Sequence, residues 1–128
     1  MSYALTIGEA QIEADPEFGH VGITVDRLVL PDAPMNSSNN RSNTILPAYL
    51  VWDNFCTQTG MQDLFYDDDT GLLRPHPGVK LLTGDHLAAF KAATIPPDDE
   101  WSRKRIEWLI WWTEWALANC KVPVFENR

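Results

Sequence analysis

The sequence predicts a small single-domain α+β protein: an N-terminal antiparallel β-hairpin or sheet packed against about three helices, with a tryptophan-rich C-terminal helix at the core. Three observations predict it. Residues 3–29 alternate large apolar with small or polar side chains, residues 47–119 hold segments with helical spacing, and four of the six tryptophans fall within eight residues, Trp108 to Trp115. A chain of 128 residues is close to the common size of one domain, so residues 1–128 are read as a single unit.

The first strand is carried by Tyr3, Leu5 and Ile7 in "YALTI", and the second by Ile23, Val25 and Val29 in "GITVDRLVL". "ADPEFGH" between them has Asp-Pro and Gly punctuation, which predicts a turn and therefore a hairpin. The apolar set passes from odd positions (3, 5, 7) to even ones (10, 12, 14), and a bulge near Gly8 is the expected cause. Residues 31–44 have no apolar period and are dense in Pro, Ser and Asn, so a mobile loop is expected there.

Helical spacing then places Tyr49, Trp52, Phe55 and Cys56 on one face of a helix from about Pro47 to Thr59, with Gly60 as its C-terminal cap. "LFYDDDTGLLRP" reads as a second tight hairpin, because two short apolar runs flank Asp, Thr and Gly. "RPHPG" ends it, since two prolines around His76 exclude a regular helix or ladder. A short helix follows, with Thr83 as N-cap, Asp85 in the first turn, and Leu87 and Phe90 inward. The last helix is expected from about Asp98 to Asn119, and "VPVF" as an extended tail packing back.

On a helical wheel, Glu100, Arg103, Lys104, Glu107, Glu114, Ala118 and Lys121 form the wet stripe of that last helix. Arg105, Leu109, Trp112 and Ala116 lie opposite, with Trp101, Trp108 and Trp115 on one flank and Ile106, Ile110, Thr113 and Leu117 on the other. Trp111 falls on the wet stripe. Several indoles left in water would be a solubility problem, so either a flap of this chain or a second copy must cover them. Trp108, Trp111 and Trp115 are therefore the expected interface residues if the chain forms a homodimer.

The net charge of −8, from 18 acidic and 10 basic side chains, argues against direct nucleic-acid binding and against an anionic membrane, and favours a partner with a basic surface. Glu107 and Glu114 break the apolar run of the last helix well short of a membrane span. Glu9 and Glu13 come too early for a secretion signal, which makes the cytoplasm the expected location and leaves Cys56 and Cys120 as reduced packing residues.

No metal-ligand spacing joins His20, His76 and His86, and "DDDTG" lacks the glycine and glutamate that a calcium loop needs further on. No metal site and no cofactor are expected. No nucleophile elbow, phosphate-binding loop or dinucleotide fingerprint occurs either. The expectation is thus a small acidic binding module, an inhibitor or accessory protein that acts by occupying a protein partner and not as an enzyme. The alternative is a small-ligand or nucleotide-binding protein, or a small hydrolase, built from the 36–43 loop, the Asp67–Asp69 hairpin and His76. Asp67, Asp69, His76 and His86 would then be its catalytic candidates, and Arg41, Arg74 and His76 its ligand-binding ones.

Overall fold

The computed structural model describes residues 1–15, 17–36 and 39–128, with the backbone alone for Asp15 and His20. It is an α+β fold with the element order β1 (Leu5–Asp15), β2 (His20–Val25), β3 (Thr44–Ile45), α1 (Tyr49–Thr59), α2 (Gln62–Tyr66), β4 (Gly78–Leu81), α3 (Gly84–Lys91), α4 (Glu100–Asn119) and β5 (Pro123–Asn127). The sheet runs β2-β1-β5-β4, every pairing antiparallel, and β3 adds to β1 on the side of β2.

The expected hairpin is present as β1 and β2, with Ile12 opposite Ile23. Pro16 of its turn lies outside the described residues, as do Ser37 and Ser38 of the 31–44 loop. The expected bulge near Gly8 is absent: Gly8 pairs with Val124 in an unbroken register that runs from Leu5 to Glu9, and Ala10 continues it against Val25. The hydrophobic set changes face for another reason. Residues 5–9 of β1 pair with β5, and Leu5 and Thr6 also with β3, which turns Leu5 and Ile7 into the core; from Ala10, whose N–H still reaches the Val122 carbonyl, the strand pairs with β2. At the changeover Gly8 is required by close approach, because a Cβ there would lie 2.9 Å from Cγ1 of Val25.

Tail residues 123–127 are more than a packed extension. They form β5 inside the sheet, between β1 and β4, and bury Phe125 and Asn127 completely. The second hairpin expected at 64–75 is also replaced. Gln62–Tyr66 is a short helix, and the chain then turns on Asp67, whose carboxylate accepts the N–H groups of Asp69 and Thr70 at 3.1 and 2.9 Å. Leu72 and Leu73 donate back to the carbonyls of Leu64 and Phe65, so the apolar run closes on the helix and not on a strand. Those N–H bonds hold the Asp67 carboxyl below the usual carboxylate range.

Helix α1 ends as expected at Gly60, whose φ of 75° is the left-handed geometry of a C-terminal cap. Helix α4 begins at Glu100, two residues after the expected start, capped by Asp99, whose carboxylate accepts from the Ser102 N–H and hydroxyl at 3.0 and 2.7 Å. Its inward residues Leu109, Trp112 and Ala116 are fully buried against β1 and β5, with Trp52 and Phe55 of α1 and Phe65 of α2 in the same core. Trp52, Trp108 and Trp112 each remove on the order of 200 Å² from water, which makes them the largest apolar contributions to the core.

Helix α3 starts with a capping box in which Thr83 and His86 satisfy each other's backbone N–H groups, that of Thr83 donating to Nδ1 of His86 at 3.1 Å. That bond needs an unprotonated Nδ1, and burial lowers the His86 pKa from its usual 6.5. The folded state thus binds the proton more weakly than the unfolded chain, so the cap's stabilisation is complete above the unfolded value and is lost as pH falls through the lower, folded one. In urea titrations at about pH 7.5 and about pH 5, His86→Gln, which keeps an acceptor that does not titrate, is expected to show a smaller drop in midpoint than wild type. Equal drops in the two proteins would contradict this account of the cap.

Candidate functional site

The proposed catalytic and ligand residues do not converge. Asp67 is committed to its own turn, Asp69 is exposed with its carbonyl accepting from Lys80 Nζ at 3.2 Å, and His86 is the helix cap just described. Arg41 spends its guanidinium on the carbonyl of Ala33, and Arg74 is exposed at the start of the proline turn. Among the described residues no group of three or more His, Cys, Asp or Glu side chains could hold a metal ion. The described residues of the 36–43 segment are bonded into the fold. Asn36, Ser42 and Asn43 are buried, and Asn43 donates to the carbonyls of Ile7 and Asp26 while accepting from the Leu28 N–H.

His76 is different. It lies between two cis prolyl bonds, Arg74–Pro75 and His76–Pro77, and its Nδ1 is held by Oδ1 of Asn127. Because an amide oxygen can only accept, Nδ1 carries the proton and the lone pair falls on Nε2, 3.2 Å from the Tyr49 hydroxyl. Asn127 is in turn fixed by its amide group, which lies 3.1 to 3.4 Å from the carbonyls of Leu72, Pro75 and Gly78. Tyr3 packs edge-on to both His76 and Tyr49. The imidazole opens on a cleft of about 450 Å³ whose walls include Ile23, Val79 and Arg128. Sequence reasoning places Tyr49 on the apolar face of a helix and offers neither it nor Asn127 as a site residue, since each lies far along the chain from His76 and no spacing rule links them.

The tryptophans named as interface residues divide. Trp108 is buried inside the chain and donates from Nε1 to the carbonyl of Ser42 at 3.0 Å. Trp111 is half-buried and packs edge-on to Trp112 at 4.9 Å, on a side of α4 that Lys91 of α3 ties down through Glu114 at 3.4 Å. Trp115 is also half-buried, packs edge-on to Trp112 at 5.4 Å, and lines a cleft with Gly8, Asn43 and Leu28. Trp101, placed on an apolar flank by the wheel, is instead 59% exposed, with the Arg105 guanidinium 5.4 Å from its ring centroid.

Several exposed apolar side chains gather on the β1–β2 arm. Its register puts Ala10, Ile12 and Ala14 on one face together with Val25, Ile23 and Val21. Ile12 and Val21 are more than 70% exposed there. The opposite face carries Gln11 and Glu13, with Gln11 bonded to Asp26 at 2.7 Å and Glu13 facing Thr24. At the base, the Glu9 carboxylate accepts the N–H groups of Lys121 and Val122, which hold it below the usual carboxylate range. No helix of the described residues is long and apolar enough to cross a membrane. No protein-family model, no curated protein and no solved structure matches the chain.

Proposed function

We propose that this protein is a non-enzymatic binding module of the cytoplasm that acts by occupying a protein partner through the β1–β2 arm. The observation that carries the reading is the arm itself. It extends past the core with apolar Ile12, Val21 and Ile23 on one face, Ile23 also walling the His76 cleft, and acidic or amide side chains on the other. A solvated arm would not need three large β-branched residues exposed side by side, whereas an apolar ridge beside a charged face is how a binding surface combines burial with selectivity. The net charge of −8 and Glu13 select a partner with a basic surface. Free thiols at Cys56 and Cys120 suit a reducing compartment.

The Tyr49–His76–Asn127 relay supports a second reading, a small-ligand or nucleotide-binding protein or a small hydrolase. The imidazole has a fixed tautomer, an Nε2 that accepts from the Tyr49 hydroxyl, and a cleft beside it. A nucleotide and metabolite panel decides whether the relay has a ligand: a compound that raises the Tm of wild type and not of His76→Gln supports this reading, and a flat panel counts against it.

The first reading is tested by photo-crosslinking from a benzophenone amino acid at Ile12 or Glu13, with exposed Glu107 of α4 as the control position. The expected result is a discrete adduct from the arm positions only, whose partner is basic by mass spectrometry and whose yield falls steeply as salt is raised from about 0.05 to about 0.5 M. Equal adducts from Glu107, or an acidic partner, would sink the reading.

A further inference from the structure

We infer that two copies of this chain pair through the outer edge of β2, antiparallel, with Ile23 on the two-fold axis. The inference rests on the reading of the arm as the docking element and names an occupant for its edge, which is distinct from its two faces.

Backbone alternation shows what that edge offers. The Ile7 N–H donates to Asn43 on the side of β3 and β2, while the Ala4 and Ala10 N–H groups donate to Arg128 and Val122 on the side of β5. Odd residues of β1 therefore turn their polar groups towards β2, which makes Gln11–Thr24 and Glu13–Gly22 the hydrogen-bonded pairs. Val21, Ile23 and Val25 consequently turn N–H and C=O outward, and among the described residues no further backbone bond reaches them.

This edge carries none of the usual protection. "HVGITV" has no proline and no lysine, aspartate or glutamate, and its ladder with β1 has no bulge. The other edge, β4, is four residues long, follows Pro77 and carries Lys80. One edge is blunted and the other is left open.

A second copy fits the open edge in charge and in register. A chain of net charge −8 repels itself over most of its surface, but β2 itself carries no carboxylate: Glu13 lies one strand further in, and Asp26, just past the strand, accepts from Gln11. With Ile23 on the axis, Val21 of each copy meets Val25 of the other and Thr24 meets Gly22. All three outward residues on each side then find partners, and the apolar faces join. The same register sets exposed Arg27 at the base of each arm beside the turn of the other, which carries Glu17. The bonded edges and the side chains that flank them make a small contact, at the low end of the interface range, which suits a weak, reversible dimer, and the apolar faces of the two arms join into one continuous ridge.

Sedimentation velocity of the full chain across a concentration series tests this. Wild type is expected to move from monomer to dimer. Ile23→Pro, which removes an outward N–H and leaves the β1 ladder intact, and Ile23→Lys are each expected to weaken pairing at least about tenfold while keeping the wild-type circular dichroism spectrum. Trp111→Glu is expected to leave pairing unchanged. A monomer at every concentration, pairing unaffected by both Ile23 variants, or a dimer abolished by Trp111→Glu alone would each overturn the inference. Should wild type stay monomeric while probes at Ile12 and Glu13 still label a basic partner, self-pairing fails and the arm's role stands. Copies that pair while the same probes label no partner leave self-pairing standing and remove the proposed role of the arm.

Discussion

The pairing of β1 with β5 is the constraint on which the rest of the structure depends. It joins the first strand to the last across nearly the whole chain, with Leu5 opposite Asn127 and Glu9 opposite Pro123. On the core side it sets Phe125 among Leu5, Ile7 and Phe65, where α4 lays Leu109 and Trp112. The same strand delivers Asn127 to the proline turn, where one buried amide group faces three carbonyls and holds the imidazole of His76. It also ends at residue 9 of β1, so everything beyond must leave the core. The core, the relay and the arm are three consequences of one ladder.

Polar residues close the opposite flank. Asn43 bonds to Ile7, Asp26 and Leu28, and Asn36 and Ser42 fill the space between that segment and α4, where the Trp108 indole reaches the Ser42 carbonyl. Buried amides of this kind are costly unless their bonds are made, so once formed they fix a single arrangement. The described residues of this Ser- and Asn-rich segment combine backbone bonds to 28–30, Leu30 to Arg41 and Asn43 to Leu28, with the side-chain bonds of Asn36, Ser42 and Asn43.

Much of this was legible where local rules apply. Alternation in Tyr3–Ile7 and Ile23–Val25 marks strands that exist, Gly60 and Thr83 sit at the caps their residue types suit, and the period of Leu109, Trp112 and Ala116 marks the buried face of α4. Local rules failed where distant segments decide. Nothing in "VPVFEN" announces a central strand, because its partners are β1 and β4. "LFYDDDTGLLRP" satisfies a hairpin pattern as well as a helix and turn, and only the Leu72 and Leu73 bonds back to Leu64 and Phe65 separate them. Trp111 looked stranded on a polar stripe, but an isolated wheel cannot include α3, which lies along that side of α4. The relay was half visible: His76 stood out between prolines, while Asn127 and Tyr49 reach it only through the fold.

The central claim is that β1 is one continuous strand with two fates, its first half locked into the core by β5 and its second half standing clear with β2. Native-state hydrogen exchange in dilute solution tests it most directly. The amides of Thr6, Ile7 and Gly8 are expected to exchange only through global unfolding, and those of Gln11, Glu13, Gly22 and Thr24 through a local opening at least about 2 kcal/mol lower in free energy. Equal protection across both halves would mean that the arm belongs to the core's cooperative unit, and the account would be wrong.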